Sequence, residues 1–98
     1  SFDPPVITKQ PISEISIAKD TTVELSVEAK EPAKGTLSYQ WFACADETGR
    51  DAVKIAGANT ASLAIPTDLE AGKHYFFVKV TVNGIAGINS NIACVTVA

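Results

Sequence analysis

The stretch LSYQWFACAD, Leu37 to Asp46, holds the chain's single tryptophan and, three residues later, one of its two cysteines. Its residues alternate: Tyr39, Trp41 and Ala43 fall on one side, Gln40, Phe42 and Cys44 on the other. Successive side chains of an extended strand point to opposite faces, so this spacing predicts a strand that buries Trp41 and turns Cys44 outward. The same period sets Val23, Leu25, Val27 and Ala29 against Thr22, Glu24, Ser26 and Glu28. It returns in Ala61, Leu63 and Ile65, in Phe76, Val78, Val80 and Val82, and in Ala93, Val95 and Val97, while Ile12, Ile15 and Ile17 follow it loosely. The expected core is Trp41, Leu25, Val27, Leu63, Phe76, Val78 and Val95.

Between these segments lie turn signals with physical reasons behind them. EPAKG (31–35) combines proline with glycine, DETGRD (46–51) is polar around Gly49, and Asn83-Gly84 takes positive φ readily, as a tight hairpin requires. No sustained 3.6-residue apolar stripe occurs, although TDLEAG (67–72) could close one helical turn with Leu69 inward. The fold class that follows is all-β, with about seven short strands. SFDPPVITKQP places three prolines in eleven residues. Residues 1–11 therefore read as a linker and first edge strand, and 6–98 as one domain.

Composition excludes several functions. The chain has 98 residues, 46% of them hydrophobic, enough for a single core. A net charge of −3 with scattered basic residues argues against a nucleic-acid partner. No apolar run reaches the roughly 18 residues of a membrane span, so membrane insertion is not expected. The sequence does not begin with methionine and contains none, which suggests a mature product or a piece of a longer chain. The glycines form no phosphate cradle and no serine sits in a G-x-S-x-G elbow. Two cysteines and one histidine lack the close pairing of a zinc framework, and the loop acids Asp46, Glu47, Asp51, Asp68 and Glu70 lack a calcium-binding spacing. No catalytic, cofactor-binding or metal-binding residue is assigned.

The order of segments resembles that of bacterial immunoglobulin-like domains, which occur as tandem modules in secreted and cell-surface proteins. PPVITKQP resembles the A strand, TTVELSVEA strand B, and LSYQWF strand C with its core tryptophan. KIAGANTASLAIP is similar to the family's run into strand E, LEAGKHYFFVKVTVNG to strand F, and SNIACVTV to strand G. The resemblance implies an immunoglobulin-like, Greek-key sandwich of two antiparallel sheets. It also implies a bacterial, extracellular or cell-surface setting within a longer chain. The sequence departs from the antibody-type pattern because Leu25 or Val27, and Phe76, stand where its inter-sheet cysteines would be. The tyrosine of the strand F corner falls at His74 or Tyr75, with the spacing from Gly72 favouring His74.

In that strand order both C and G flank F. Outward Cys44 and Cys94 would then lie two strand spacings apart, about 9 to 10 Å, beyond the ~7 Å reach of a disulfide. A bulge at the end of strand C, or a kink toward the following loop, would allow a bridge; otherwise the two thiols are unbonded.

The outward set of the same sheet gathers Gln40, Phe42, Tyr75, Phe77, Lys79 and Thr96, together with Cys94. Such aromatics could be cross-strand pairs partly covered by the segment around Val53 to Ile55, a docking face for a neighbouring domain or surface protein, or a glycan-binding platform. The function expected is a non-catalytic spacer or presentation module whose partners are neighbouring domains of its own chain. The alternative is a ligand-binding module, an adhesin or carbohydrate binder, working through this aromatic face.

Overall fold

The computed structural model describes residues 4–31, 35–84 and 86–98. The start of the expected linker and the middle of the EPAKG turn lie outside them. Among the described residues there are ten strands and no helix. One layer contains β2 (Glu14–Ile17), β10 (Ala93–Val97), β8 (Gly72–Val82), β5 (Leu37–Cys44) and β6 (Val53–Lys54), side by side in that order. β9 (Ala86–Asn89) pairs with the far end of β8, on the edge that β5 leaves free. The facing layer is β1 (Val6–Lys9) against β4 (Glu28–Lys30), and β3 (Val23–Ser26) against β7 (Ser62–Ile65). β3 and β4 are one strand interrupted at Val27, whose N–H still reaches across to Ala61 O at 2.9 Å. The first edge strand thus pairs with β4 in one layer as β1, and its continuation β2 runs parallel to β10 in the other.

The alternation explains which side chains meet between the layers. Inward residues Trp41, Phe76, Val78, Val80, Ala93, Val95 and Val97 pack against Leu25, Val27, Leu63 and Ile65 from the opposite layer. Leu25, Val27 and Phe76, the residues at the expected places of an inter-sheet disulfide, are all buried in the core, and the sheets are held by packing rather than by a covalent staple. Trp41 is fully buried, and its indole Nε1–H donates to Thr60 O at 2.8 Å. Without that acceptor, a buried N–H would cost about 1 to 3 kcal/mol.

Turn chemistry supplies the reversals. Asn83 and Gly84 have φ of 53° and 70°, the positive values of a tight hairpin between β8 and β9. Asn83 Oδ1 also accepts from Thr36 N–H at 3.0 Å, tying that hairpin to the start of β5. The helical turn anticipated over TDLEAG does not form: Thr67 and Asp68 make a turn, and Leu69 packs against the core. The segment is spent crossing from β7 in one layer to β8 in the other, which leaves no length for a helical hydrogen-bond ring. Each outer strand of the two layers is at most four residues long, and Pro5, Pro11 and Pro66 stand beside them. Short, proline-flanked edges are poor templates for pairing with other chains.

Replacing Trp41 with alanine removes the largest buried side chain and the Thr60 bond together. The expected cost is roughly 3 to 5 kcal/mol of unfolding free energy, measured by urea denaturation against the parent protein.

Candidate functional site

The outer face of β8 concentrates the chain's unusual chemistry. Tyr75, Phe77 and Lys79 alternate outward along it, with β5 on one flank and β10 followed by β9 on the other. Phe42 of β5 is directly opposite Phe77, and the two rings stack at 5.0 Å between centroids with planes 7° apart. Each phenylalanine therefore presents one ring face to the other. Phe77 is only 7% exposed despite lying on the outward side.

Gly49 in the loop after β5 comes close to Phe77, while in the Val53–Ile55 segment Lys54 is opposite Phe42 and Val53 is 65% exposed. Asp46 organises that loop. Its Oδ1 accepts from the Thr48 amide at 2.9 Å and from the Thr48 hydroxyl, and its Oδ2 accepts from Arg50 Nε at 3.1 Å. Gly49 N–H donates to Asp46 O, and Ala45 N–H to Arg50 O, closing the loop. Gly49 adopts φ of 79° and sits above the outer face, where an added Cβ would be 3.6 Å from Ile92 Cδ1 and 3.9 Å from Phe77 Cε1. Hydrogen bonds from Thr48 and Arg50 hold the Asp46 carboxyl at about 2, below its ordinary 3.8. The Asp-x-Thr spacing and Gly49 are the sequence signals for this loop; Ile92 beneath it carries none.

Of the six residues expected to form an open interaction face, only Lys79 is exposed. The Gln40 amide donates to Trp41 O and to Ile55 O, at 2.9 and 3.0 Å, with a longer contact to Ala58 O. It is occupied in holding the turn after β6. Phe42, Tyr75 and Thr96 are half-buried, and Phe77 is buried. Of the three aromatics only Phe77 is buried, where Gly49 of the loop after β5 comes close to it, an approach that a strand pattern does not encode.

Cys44 and Cys94 both register with Tyr75, from opposite sides. The two thiols are unbonded, one strand standing between them, and the kink that would have allowed a bridge is absent: β5 stays in register with β8 through Cys44. Burial and the nearby Asp46 carboxylate push the Cys44 thiol up, partly opposed by its bond to Asp46 O. A protonated thiol is a weak nucleophile. Desolvation, followed by the neighbouring Cys94, raises the Tyr75 phenol. Beside Tyr75 is a shallow depression of about 190 Å³ rimmed by Glu14, Glu47, Lys73, Ile92 and Cys94. Among the described residues no group of three or more His, Cys, Asp or Glu side chains could hold a metal ion.

His74 stands at the start of β8, two residues before Phe76. Its Nε2 lies 2.7 Å from Glu70 O, four residues upstream. A tyrosine hydroxyl at this corner of an antibody domain bonds back to upstream backbone in the same way. Here a histidine supplies the bond.

No family profile matches the chain, and no curated protein matches it in sequence. Solved structures do match. Murine CRIg is 13% identical with a TM-score of 0.57, over 98% of this chain and 99% of that one. A lytic polysaccharide monooxygenase of Jonesia denitrificans is 23% identical with a TM-score of 0.44, over 90% of this chain and 58% of that one. The first likeness is one of fold: the chain is an immunoglobulin-like β-sandwich. The second is too low in structural score to carry an argument.

Two outcomes follow from this geometry. Because the folded carboxyl of Asp46 titrates near 2 and the unfolded one near 3.8, its contribution to stability is fully present above the unfolded value and disappears as pH falls through the folded one. The stability difference between parent and Asp46→Asn should be flat from neutrality to about pH 5 and shrink between about pH 4 and 2, read by denaturant unfolding at each pH. Replacing His74 with alanine should cost about 1 kcal/mol with the far-ultraviolet spectrum unchanged.

Proposed function

We propose that this chain serves as a non-catalytic spacer and presentation module within a longer bacterial surface or secreted protein, joined to neighbouring domains of the same chain. The observation that carries this reading is the placement of its first and last strands. Val6 registers with Lys30, at the end of the sandwich where Thr36 bonds the Asn83 turn. Val97 registers with Gly72, where β8 begins, at the other end. The domain measures 45 × 23 × 22 Å, so a chain running through it would gain length along the long axis.

The parallel pair β2 and β10 lies on the path between those ends. It has four registered pairs, and Cys94 N–H to Ser13 O and Ala98 N–H to Ile17 O mark its limits, both at 3.0 Å. A pull on the two chain ends slides these strands past each other, loading the hydrogen bonds together in shear instead of one at a time. The extracellular setting is supported by the resemblance of segment order. The ligand-binding alternative is weakened by the burial of Phe77 and by its stacking on Phe42, which takes up one face of each ring.

The test is single-molecule extension of the domain between two reference modules. The bonds at Ser13 and Ile17 recur every second residue, which places the Ile15 N–H toward Cys94 O. Ile15→Pro should lower the rupture force clearly while binding to glycan and protein panels stays absent in both forms. Unchanged rupture force would remove the ladder as the load path, and saturable glycan binding by the parent would replace the spacer reading with the adhesin one.

A further inference from the structure

The hairpin that joins β8 to β9 carries a pair of groups able to react with each other. The side-chain amide carbon of Asn83 and the backbone nitrogen of Gly84 are spaced to close a five-membered ring, so that nitrogen can attack the carbon within the same chain. Glycine offers its nitrogen with no Cβ to crowd the attack. The other asparagines, Asn59, Asn89 and Asn91, precede Thr60, Ser90 and Ile92, whose side chains do crowd it. Asn83 and Gly84 are both exposed, and an added Cβ at Gly84 would meet nothing within 4 Å.

The folded hairpin holds these two groups apart. Asn83 has a φ of 53°, in the left-handed region, which turns the following amide nitrogen to the far side of Cα from the side chain. The side chain itself is tied down: Oδ1 accepts from Thr36 N–H at 3.0 Å, while Asn83 N–H donates to Thr36 O at 2.9 Å. Thr36 and Asn83 thus extend the β5–β8 ladder one step beyond Leu37 and Val82, with a side-chain oxygen standing in for a main-chain carbonyl. Gly35 packs against the same amide, for an added Cβ there would lie 3.2 Å from Asn83 Nδ2. Ring closure requires the left-handed turn and both Thr36 bonds to be released.

From these features we infer that Asn83 is a modification site, one of spontaneous intramolecular deamidation that the folded domain restrains through the two hydrogen bonds with Thr36. The Gly84 nitrogen forms a bond to Asn83 Cγ and gives up its proton to water. The Cγ–Nδ2 bond then breaks, and the amide nitrogen leaves as ammonia after taking a proton back. A second water opens the imide at either of its carbonyls, giving aspartate or isoaspartate, with no oxidant or further reactant. Aspartate keeps an oxygen for Thr36 N–H. Isoaspartate routes the main chain through Cβ and lengthens it by a methylene, so the hairpin no longer matches Thr36. Both products add a negative charge to an already acidic chain. This inference is independent of the spacer reading.

The experiment follows the mass and linkage of residue 83 by peptide mapping, on protein kept in mildly alkaline buffer either folded or unfolded in urea. In the unfolded chain Asn83 should convert ahead of Asn59, Asn89 and Asn91, which serve as references in the same sample. In the folded domain its conversion should be slower by about tenfold or more, because it waits on local opening of the hairpin. Thr36→Pro removes the N–H donor and keeps the carbonyl, so the folded-state rate should rise several-fold toward the unfolded one with Trp41 emission unchanged. If that substitution alters the emission, Gly35→Ala takes its place; it crowds Asn83 Nδ2 and should act in the same direction. An intact Asn83 in the unfolded chain would overturn the site. Equal rates in the folded and unfolded parent, or a folded variant no faster than the parent, would overturn the restraint. Faster conversion in the folded parent would overturn it too, with Thr36 N–H then assisting the developing oxyanion.

Discussion

The hydrogen bond from the Trp41 indole to Thr60 O is the constraint around which the sandwich is arranged. A side chain of this size can be fully buried only if its N–H finds an acceptor, and the acceptor comes from the segment that leads into the opposite layer at β7. Neighbouring bonds reinforce the connection: Trp41 N–H donates to Ala58 O, Ile55 N–H to Trp41 O, and the Gln40 amide to carbonyls of the same turn. With no disulfide between the layers, this bonded turn and the core packing that includes Leu25, Val27 and Phe76 do the work of the missing covalent link.

A second level of organisation follows from β8. At eleven residues it is the longest strand, paired with β5 on one side and with β10 and then β9 on the other. Ser90 fills the break between β9 and β10. Its Oγ accepts from Val78 N–H and donates to Asn91 O, so the interruption leaves no buried polar group unmatched. Gln10 Oε1 accepts from Asn91 N–H, joining the segment between β1 and β2 to the same break. The segment after β1 is thereby fastened to the segment that leads into β10, close to the ladder assigned to carry load. His74 fixes the other end of β8 through Glu70 O.

Much of this was legible in the residues because the strand period is two wherever one face is buried. The alternation around Trp41, Leu25, Leu63, Val78 and Val95 identified the inward side, and Asn83-Gly84 announced its hairpin. The interruptions at Val27 and Ser90 were not legible, since alternation continues across them: Val27 stays inward through a break in pairing. Nor was the outer face. Phe42 and Phe77 read as exposed because a strand pattern gives direction without saying what lies above it. The cover over Phe77 comes from Gly49, in a loop far from it in sequence that also approaches Ile92, a tertiary event. Gln40 was misleading for a related reason: its long amide bends to reach the carbonyls of another segment, so its strand position does not predict its partners.

Hydrogen exchange of the Trp41 indole proton, followed by nuclear magnetic resonance, addresses the central constraint directly. If the indole is locked between the layers by Thr60 O, its proton exchanges only through global unfolding. The free energy of that opening then equals the one obtained by denaturant titration. Exchange at the rate of an exposed indole, or through an opening much cheaper than global unfolding, would contradict a sandwich organised around that buried bond.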